Sequence, residues 1–131
     1  MTEWYWLLAM MVFCHVIEDF HIQGCLADLK QRMWWKENVT QKGFGHRYDK
    51  DYLAALTAHG FEWSFFVHIP LMYFVGLEPI VLISLLMNAI LHAFIDDLKC
   101  NRLKTNLIQD QAAHLVQIAA SLAIIWGVLG L

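Results

Sequence analysis

A chain of 131 residues that is 59% hydrophobic and only 16% charged carries more apolar surface than a soluble domain of that size can hide. Its formal charge of −3, with nine Lys and Arg against twelve Asp and Glu, gives no support to nucleic-acid binding. A mean hydropathy of +0.46, with six Trp and eight Phe, points to an all-α polytopic membrane protein for which lipid supplies the missing interior.

The first apolar stretch, 4–17, is too short to span a bilayer alone and needs the polar residues after it to reach a span of about 4–23. Glu3 is the only charge ahead of it, where a secretory signal would be basic, so no signal peptide is expected. His15 and Asp19 lie near its end. Residues i and i+4 share a helix face, so this pair presents an imidazole and a carboxylate to one point, and Gln23 continues the face.

Residues 25–51 change character. They are charged, set Trp34 and Trp35 beside Arg32 and Lys36, and contain Gly43 and Gly45 as breakers, which predicts an amphipathic interfacial helix followed by a loop. Lys30, two turns after Gln23, is placed to reach back toward the carboxylates.

The second span, 52–77, carries His59 near its start, Glu62 three residues later and His68 near its middle. A Leu77-Glu78-Pro79 turn leads to the third span, about 80–97, which holds Asn88, His92 and Asp96, with Lys99 just beyond. The fourth, about 110–131, begins with Asp110, Gln111 and His114, and Gln117 and Ser121 follow as polar contacts between helices. The expected architecture is one integral domain, 1–131. It is a four-transmembrane-helix bundle with a cytoplasmic interfacial helix and loop between helices 1 and 2.

All nine basic residues fall after the first span (Lys30, Arg32, Lys36, Lys42, Arg47, Lys50) or between the third and fourth (Lys99, Arg102, Lys104). The positive-inside rule then makes both connections cytoplasmic and leaves both termini outside. In that topology His15, Asp19, His59, His92, Asp96, Asp110 and His114 share one layer near the inner face, and His68 lies apart from it.

Imidazole with carboxylate suits Zn²⁺ first, then Mn²⁺ or Fe²⁺. Cys14, Cys25 and Cys100 have no CxxC spacing and read as free thiols. All seven residues of the layer are candidate metal ligands. Asp19, Asp96, Asp110, Lys30 and Lys99 are candidate catalytic groups around a metal-activated water, and Gln23, Glu62, Asn88 and Gln111 are candidate outer partners. Asp96→Asn is expected to reduce metal occupancy or turnover far more than folding.

Each carboxylate near hydrocarbon costs ~2.5 kcal/mol or more, so three of them favour a bound cation, although Lys30 and Lys99 can also compensate. Two other readings stay open. One is an ion, proton or small-solute path through the membrane, and the other is a non-catalytic phage or bacterial membrane interaction protein.

The runs from His15 to Gln23, from His92 to Lys99 and from Asp110 to His114 read H-x3-D-F-x2-Q, H-x2-I-D-x2-K and D-Q-x2-H. In that order, over nearly the whole chain, they resemble the DUF3307 family of small bacterial and phage membrane proteins. The helix carrying His59, Gly60 and Glu62 departs from the family pattern. The H-x3-D motifs on membrane helices are also similar to those of YdjM-type membrane-bound metal-dependent hydrolases. The resemblance implies a bacterial cytoplasmic-membrane location but no particular activity. The layer's place at the inner lipid-water boundary points to membrane lipids as partners and a lipid-linked or head-group substrate, and homo-oligomers would serve the transport reading.

Overall fold

The computed structural model describes residues 2–131, and every regular element among them is helical. Helix α1 (Thr2–Ile17) runs directly into a π-helical turn, Glu18–Ile22. Two single-turn helices follow, α2 (Leu26–Leu29) and α3 (Arg32–Trp35). A π-helical stretch, Lys36–Phe44, and a 3-10 turn, Gly45–Tyr48, lead to three long helices: α4 (Asp51–Val75), α5 (Pro79–Cys100) and α6 (Leu107–Leu129).

The segment expected as one interfacial helix and a loop is instead a strap of short helical pieces. Gln31 takes extended backbone, φ −93° and ψ 119°, which separates α2 from α3. Gly43 at φ 96° and Gly45 at φ 67° stop the following stretch, because side chains larger than hydrogen are strained there.

Local chemistry fixes the ends of the long helices. Gly76 at φ 85° ends α4 and Pro79 starts α5, a glycine-then-proline pairing that reverses the chain sharply. Asn106 and Gln109 form a reciprocal capping box that starts α6 just before Asp110. At Gly60, a Cβ would lie 2.5 Å from the Ala89 carbonyl oxygen and 3.1 Å from Ala93 Cβ, so α4 and α5 touch through backbone there.

Three helical stretches, Glu3–Ile22, Pro79–Cys100 and Leu107–Leu129, are long and apolar enough to cross a membrane. The second expected span is not among them. Helix α4 has 25 residues, ample length, but His59, Glu62, Ser64 and His68 make it too polar. Its polar face is hidden by its neighbours, and His59, Ser64 and His68 are all fully buried.

The bundle is inside-out relative to a water-soluble fold. Among the described residues, fourteen buried side chains are polar or charged and twelve are apolar, while Tyr5, Trp6, Phe13, Ile83, Ile90 and Val128 are exposed. The buried apolar residues Leu7, Met11, Trp63, Val67, Leu71, Val81, Ile118, Leu122 and Ile125 form one cluster. Their close packing fills the half of the bundle nearest the start of α1 and the end of α6. The buried charges fill the other half.

Candidate metal centre

The π turn after α1 sets the first wall of the polar half. A π turn takes one more residue than an α turn, which lets the adjacent residues Glu18 and Asp19 both sit buried beside His15. The Gln23 backbone N–H donates to the Glu18 carbonyl at 3.1 Å and closes it. Helix α4 brings His59, α5 brings His92 and Asp96 one turn apart, and α6 brings Asp110 and His114. All seven residues expected in one layer are buried and meet in one cluster.

The His59 and His92 Nε2 atoms lie 3.2 Å apart. His59 Nε2 is also 3.3 Å from Asp96 Oδ2 and 3.6 Å from Asp19 Oδ1, and His92 Nε2 is 3.9 Å from Asp96 Oδ1. Four atoms held ~2.0–2.1 Å from a tetrahedral ion lie about 3.3–3.4 Å from one another, so the His59–His92 and His59–Asp96 separations match metal-ligand spacing and the other two are wider. Four overlapping groups can hold an ion: Asp19, His59 and His92; His92, Asp96 and His114; Asp19, Asp110 and His114; and Glu18, His59 and Glu62.

Several buried polar atoms are orphaned in a way that fits a cation. Asp19 Oδ1, Asp96 Oδ1, Asp110 Oδ1 and both Glu18 carboxylate oxygens have no hydrogen-bond partner among the described residues. An unmet buried polar atom costs about 1–3 kcal/mol, and more when charged, so five such oxygens in one cluster call for a positive charge.

His15 departs from its expected ligand role. The Trp63 indole can only donate, and its Nε1–H reaches His15 Nδ1 at 2.8 Å. The ring proton therefore sits on Nε2, which donates to Gln111 Oε1 at 3.0 Å. With both nitrogens engaged, His15 positions Gln111 rather than offering a lone pair to an ion. Gln111 in turn donates through Nε2 to Asp19 Oδ2 at 2.6 Å and to Asp110 Oδ2 at 3.2 Å, the outer-partner role its sequence position suggests.

Both expected lysines arrive at the cluster, as counter-ions. Buried Lys30 donates to Asp96 Oδ2 at 2.5 Å and to Gln23 Oε1 at 2.9 Å. Lys99 donates to Asp110 Oδ2 at 2.5 Å and lies 3.9 Å from Asp96 Oδ1. Gln23 also donates to the Asp19 carbonyl, so it links Lys30 to the π turn.

The remaining expected partners divide. Half-buried Glu62 stays near Glu18 and His59. Asn88 does not join the cluster: its Nδ2 donates to Ser121 Oγ at 2.7 Å and to the Ser84 carbonyl at 2.8 Å, and its carbonyl accepts from Gln117 Nε2 at 2.8 Å. His68 also lies apart, with Nδ1 2.8 Å from the Ser64 carbonyl and Nε2 3.0 Å from Ser84 Oγ. These groups form a separate polar layer that joins α4, α5 and α6.

Two members were missed from sequence. Glu18 is fully buried, with Oε1 3.3 Å from His59 Nδ1, and its place three residues after His15 was a usable signal. Trp63 floors the cluster: its ring stacks on His92 at 4.2 Å, and His92 stacks on His114 at 4.1 Å. A tryptophan in an apolar run gives no such warning. No family model, curated protein or solved structure matches this chain.

Proposed function

We propose that this chain is a four-span protein of the bacterial cytoplasmic membrane whose His/Asp layer binds a divalent cation and hydrolyses an ester bond of a lipid head group or lipid-linked substrate at the inner face. The observation that carries the reading is the pair of imidazole nitrogens 3.2 Å apart, flanked by carboxylate oxygens of Asp19 and Asp96. One neutral imidazole can donate its N–H to the other across that gap, and in the tautomers with both Nε2 atoms deprotonated the pair can instead give two lone pairs to one ion.

A single divalent ion would balance the buried carboxylates and the two lysines paired with them. Glu18, Asp19, Asp96 and Asp110 bring four negative charges and Lys30 and Lys99 bring two positive, which leaves two negative if the histidines are neutral. In this reading His59, His92, Asp19 and Asp96 are the ligands, with Zn²⁺ the best match to the donor set. A bound divalent cation would polarise the scissile ester and acidify its own water. Glu18, 3.3 Å from His59 Nδ1, orients that imidazole as outer carboxylates do for metal-bound histidines. Lys30 and Lys99 hold Asp96 and Asp110 in place. The likeness of the His15–Asp19 and His92–Asp96 runs to the H-x3-D motifs of YdjM-type hydrolases is an analogy that points the same way.

The distances around His59 favour one competing account, in which His59 is an imidazolium held between Glu18 and Asp96, each 3.3 Å away. Protonation of His59 and His114 would balance the same two charges. A transmembrane path is disfavoured because the Leu7, Met11, Trp63 and Leu122 cluster closes the other half of the bundle.

The two accounts differ in whether metal is bound and whether acid releases it. Ligand histidines must be neutral, so metal uptake by the purified protein should weaken as pH falls below the reference histidine value of ~6.5. The imidazolium account requires no metal at any pH. Incubation of metal-loaded protein with a membrane lipid extract, followed by mass spectrometry, tests the reaction: released head groups are expected for wild type and not for Asp19→Asn. His68→Gln should leave occupancy and release unchanged.

The orientation rests on the basic residues of 30–50 and 99–104. In a cysteine-free background, Thr2→Cys is expected to react with an impermeant maleimide on intact cells and Lys104→Cys only after lysis. Labelling of the latter from outside would overturn the inner-face placement.

A further inference from the structure

Beside the cluster, the strap from α3 to α4 and the end of α5 enclose a cavity of about 650 Å³ that includes Arg32, Lys36, Thr40, His46, Asp49 and Asn101 in its lining. None of its lining residues belongs to the candidate metal centre, but Asn101 links the two. The Asn101 side chain accepts from the Arg32 backbone N–H at 2.7 Å and donates to the Lys30 carbonyl at 3.1 Å, while the Lys30 ammonium reaches Asp96. Asn101 therefore links the cavity lining to the backbone of Lys30, whose ammonium pairs with Asp96.

The charges inside the cavity are unevenly matched. Asp49 accepts from Thr40 Oγ1 at 2.8 Å and sits 2.8 Å from His46 Nδ1, and these bonds hold its carboxyl below the usual carboxylate range. Asp49 and His46 thus satisfy each other. Among the described residues, neither the Arg32 guanidinium nor the Lys36 ammonium forms an ion pair, although Asp49 feels Arg32 at longer range. Two exposed cations without ion pairs, four residues apart and lining a cavity of small-molecule size, are the charge-assisted donors that phosphate oxygens take.

We propose that this cavity binds a phosphate group, through Arg32 and Lys36, and that the group belongs to the head group of the substrate. The second part rests on the hydrolase reading and names its substrate as phosphorylated; the binding itself needs no metal. A phosphate seated here lies beside Asn101, whose side chain contacts the Lys30 carbonyl.

The test uses full-length protein in non-ionic detergent and native mass spectrometry, with dioleoyl phosphatidic acid and dioleoylglycerol as probes, which differ only by the phosphate. Wild type is expected to prefer phosphatidic acid, and Arg32→Gln/Lys36→Gln to lose that preference by about tenfold or more, because two charge-assisted contacts are removed. Both side chains are exposed, and the Arg32 backbone bond to Asn101 survives, so folding is spared. Lys42→Gln removes an exposed cation outside the cavity and should change nothing.

Competition by glycerol 3-phosphate assigns the site to phosphate compounds in solution as well, and its failure to compete restricts the site to lipid-borne phosphate. Equal preference in wild type and the double variant, or an equal loss in Lys42→Gln, overturns the proposal. So does loss of preference when the protein is stripped with a chelator, since the anion would then be held by the metal. A wild type without metal that keeps an Arg32- and Lys36-dependent preference sinks the hydrolase reading and leaves this site standing.

Discussion

Asp96→Leu is expected to lower folding stability by about 3–5 kcal/mol and to abolish metal binding together, because it strands the buried Lys30 ammonium 2.5 Å from where its partner stood. Adding Lys30→Met should restore most of the stability without restoring metal, since an apolar pair of similar volume replaces a buried ion pair at little cost. Reversible unfolding in mixed micelles measures the first effect and elemental analysis the second. If Asp96→Leu unfolds like wild type, the pair is not the buried contact described. The sequence alone suggested that Asp96→Asn would reduce metal occupancy or turnover far more than folding. With Lys30 against it, the neutral variant carries a folding cost too, so Asp19→Asn is the cleaner probe of the metal.

Gly60→Val is expected to destabilise the bundle by about 1–3 kcal/mol or more and to cut metal occupancy, although residue 60 binds nothing. Its Cβ would fall 2.5 Å from the Ala89 carbonyl, on backbone that cannot rotate away, so α4 and α5 must separate. That movement parts His59 from His92, whose 3.2 Å approach defines the site. Gly127→Val serves as the control, because no other atom lies within 4 Å of its added Cβ. Thermal unfolding in detergent should separate the two variants clearly.

The parts of the site legible in sequence are those carried by regular α-helix. His92 with Asp96 and Asp110 with His114 keep i, i+4 spacing on unbroken helices, and the pattern placed them correctly. His15 with Asp19 was found by the same rule, but the π turn at Glu18–Ile22 also buries Glu18, and α-helical periodicity does not anticipate a π turn. The role of His15 was illegible for another reason. Its two nitrogens are taken by Trp63 and Gln111, from α4 and α6, and such tertiary pairing leaves no mark on local sequence. Lys30 looked able to reach the carboxylates, and does, but only the fold gives Asp96 as its partner. Asn88 misled because its face of α5 continues past the cluster into the layer made by Ser84, Gln117 and Ser121. The strap was hardest to read, since Gln31 gives no breaker signal and yet turns extended between α2 and α3.

Elemental analysis of the purified protein at neutral pH, beside a His92→Ala variant, addresses the central claim most directly. His92 contributes Nε2, which faces His59 Nε2 and Asp96, to the ligand set and makes no ion pair to a lysine, so its loss should remove the metal without stranding a lysine. The expected result is about one divalent cation per chain in wild type and about a tenth of that or less in the variant, in line with the loss of one of four ligands. A wild-type protein that carries no divalent cation, and takes up none when zinc, manganese or ferrous iron is supplied at neutral pH, would contradict it and leave the imidazolium account in its place.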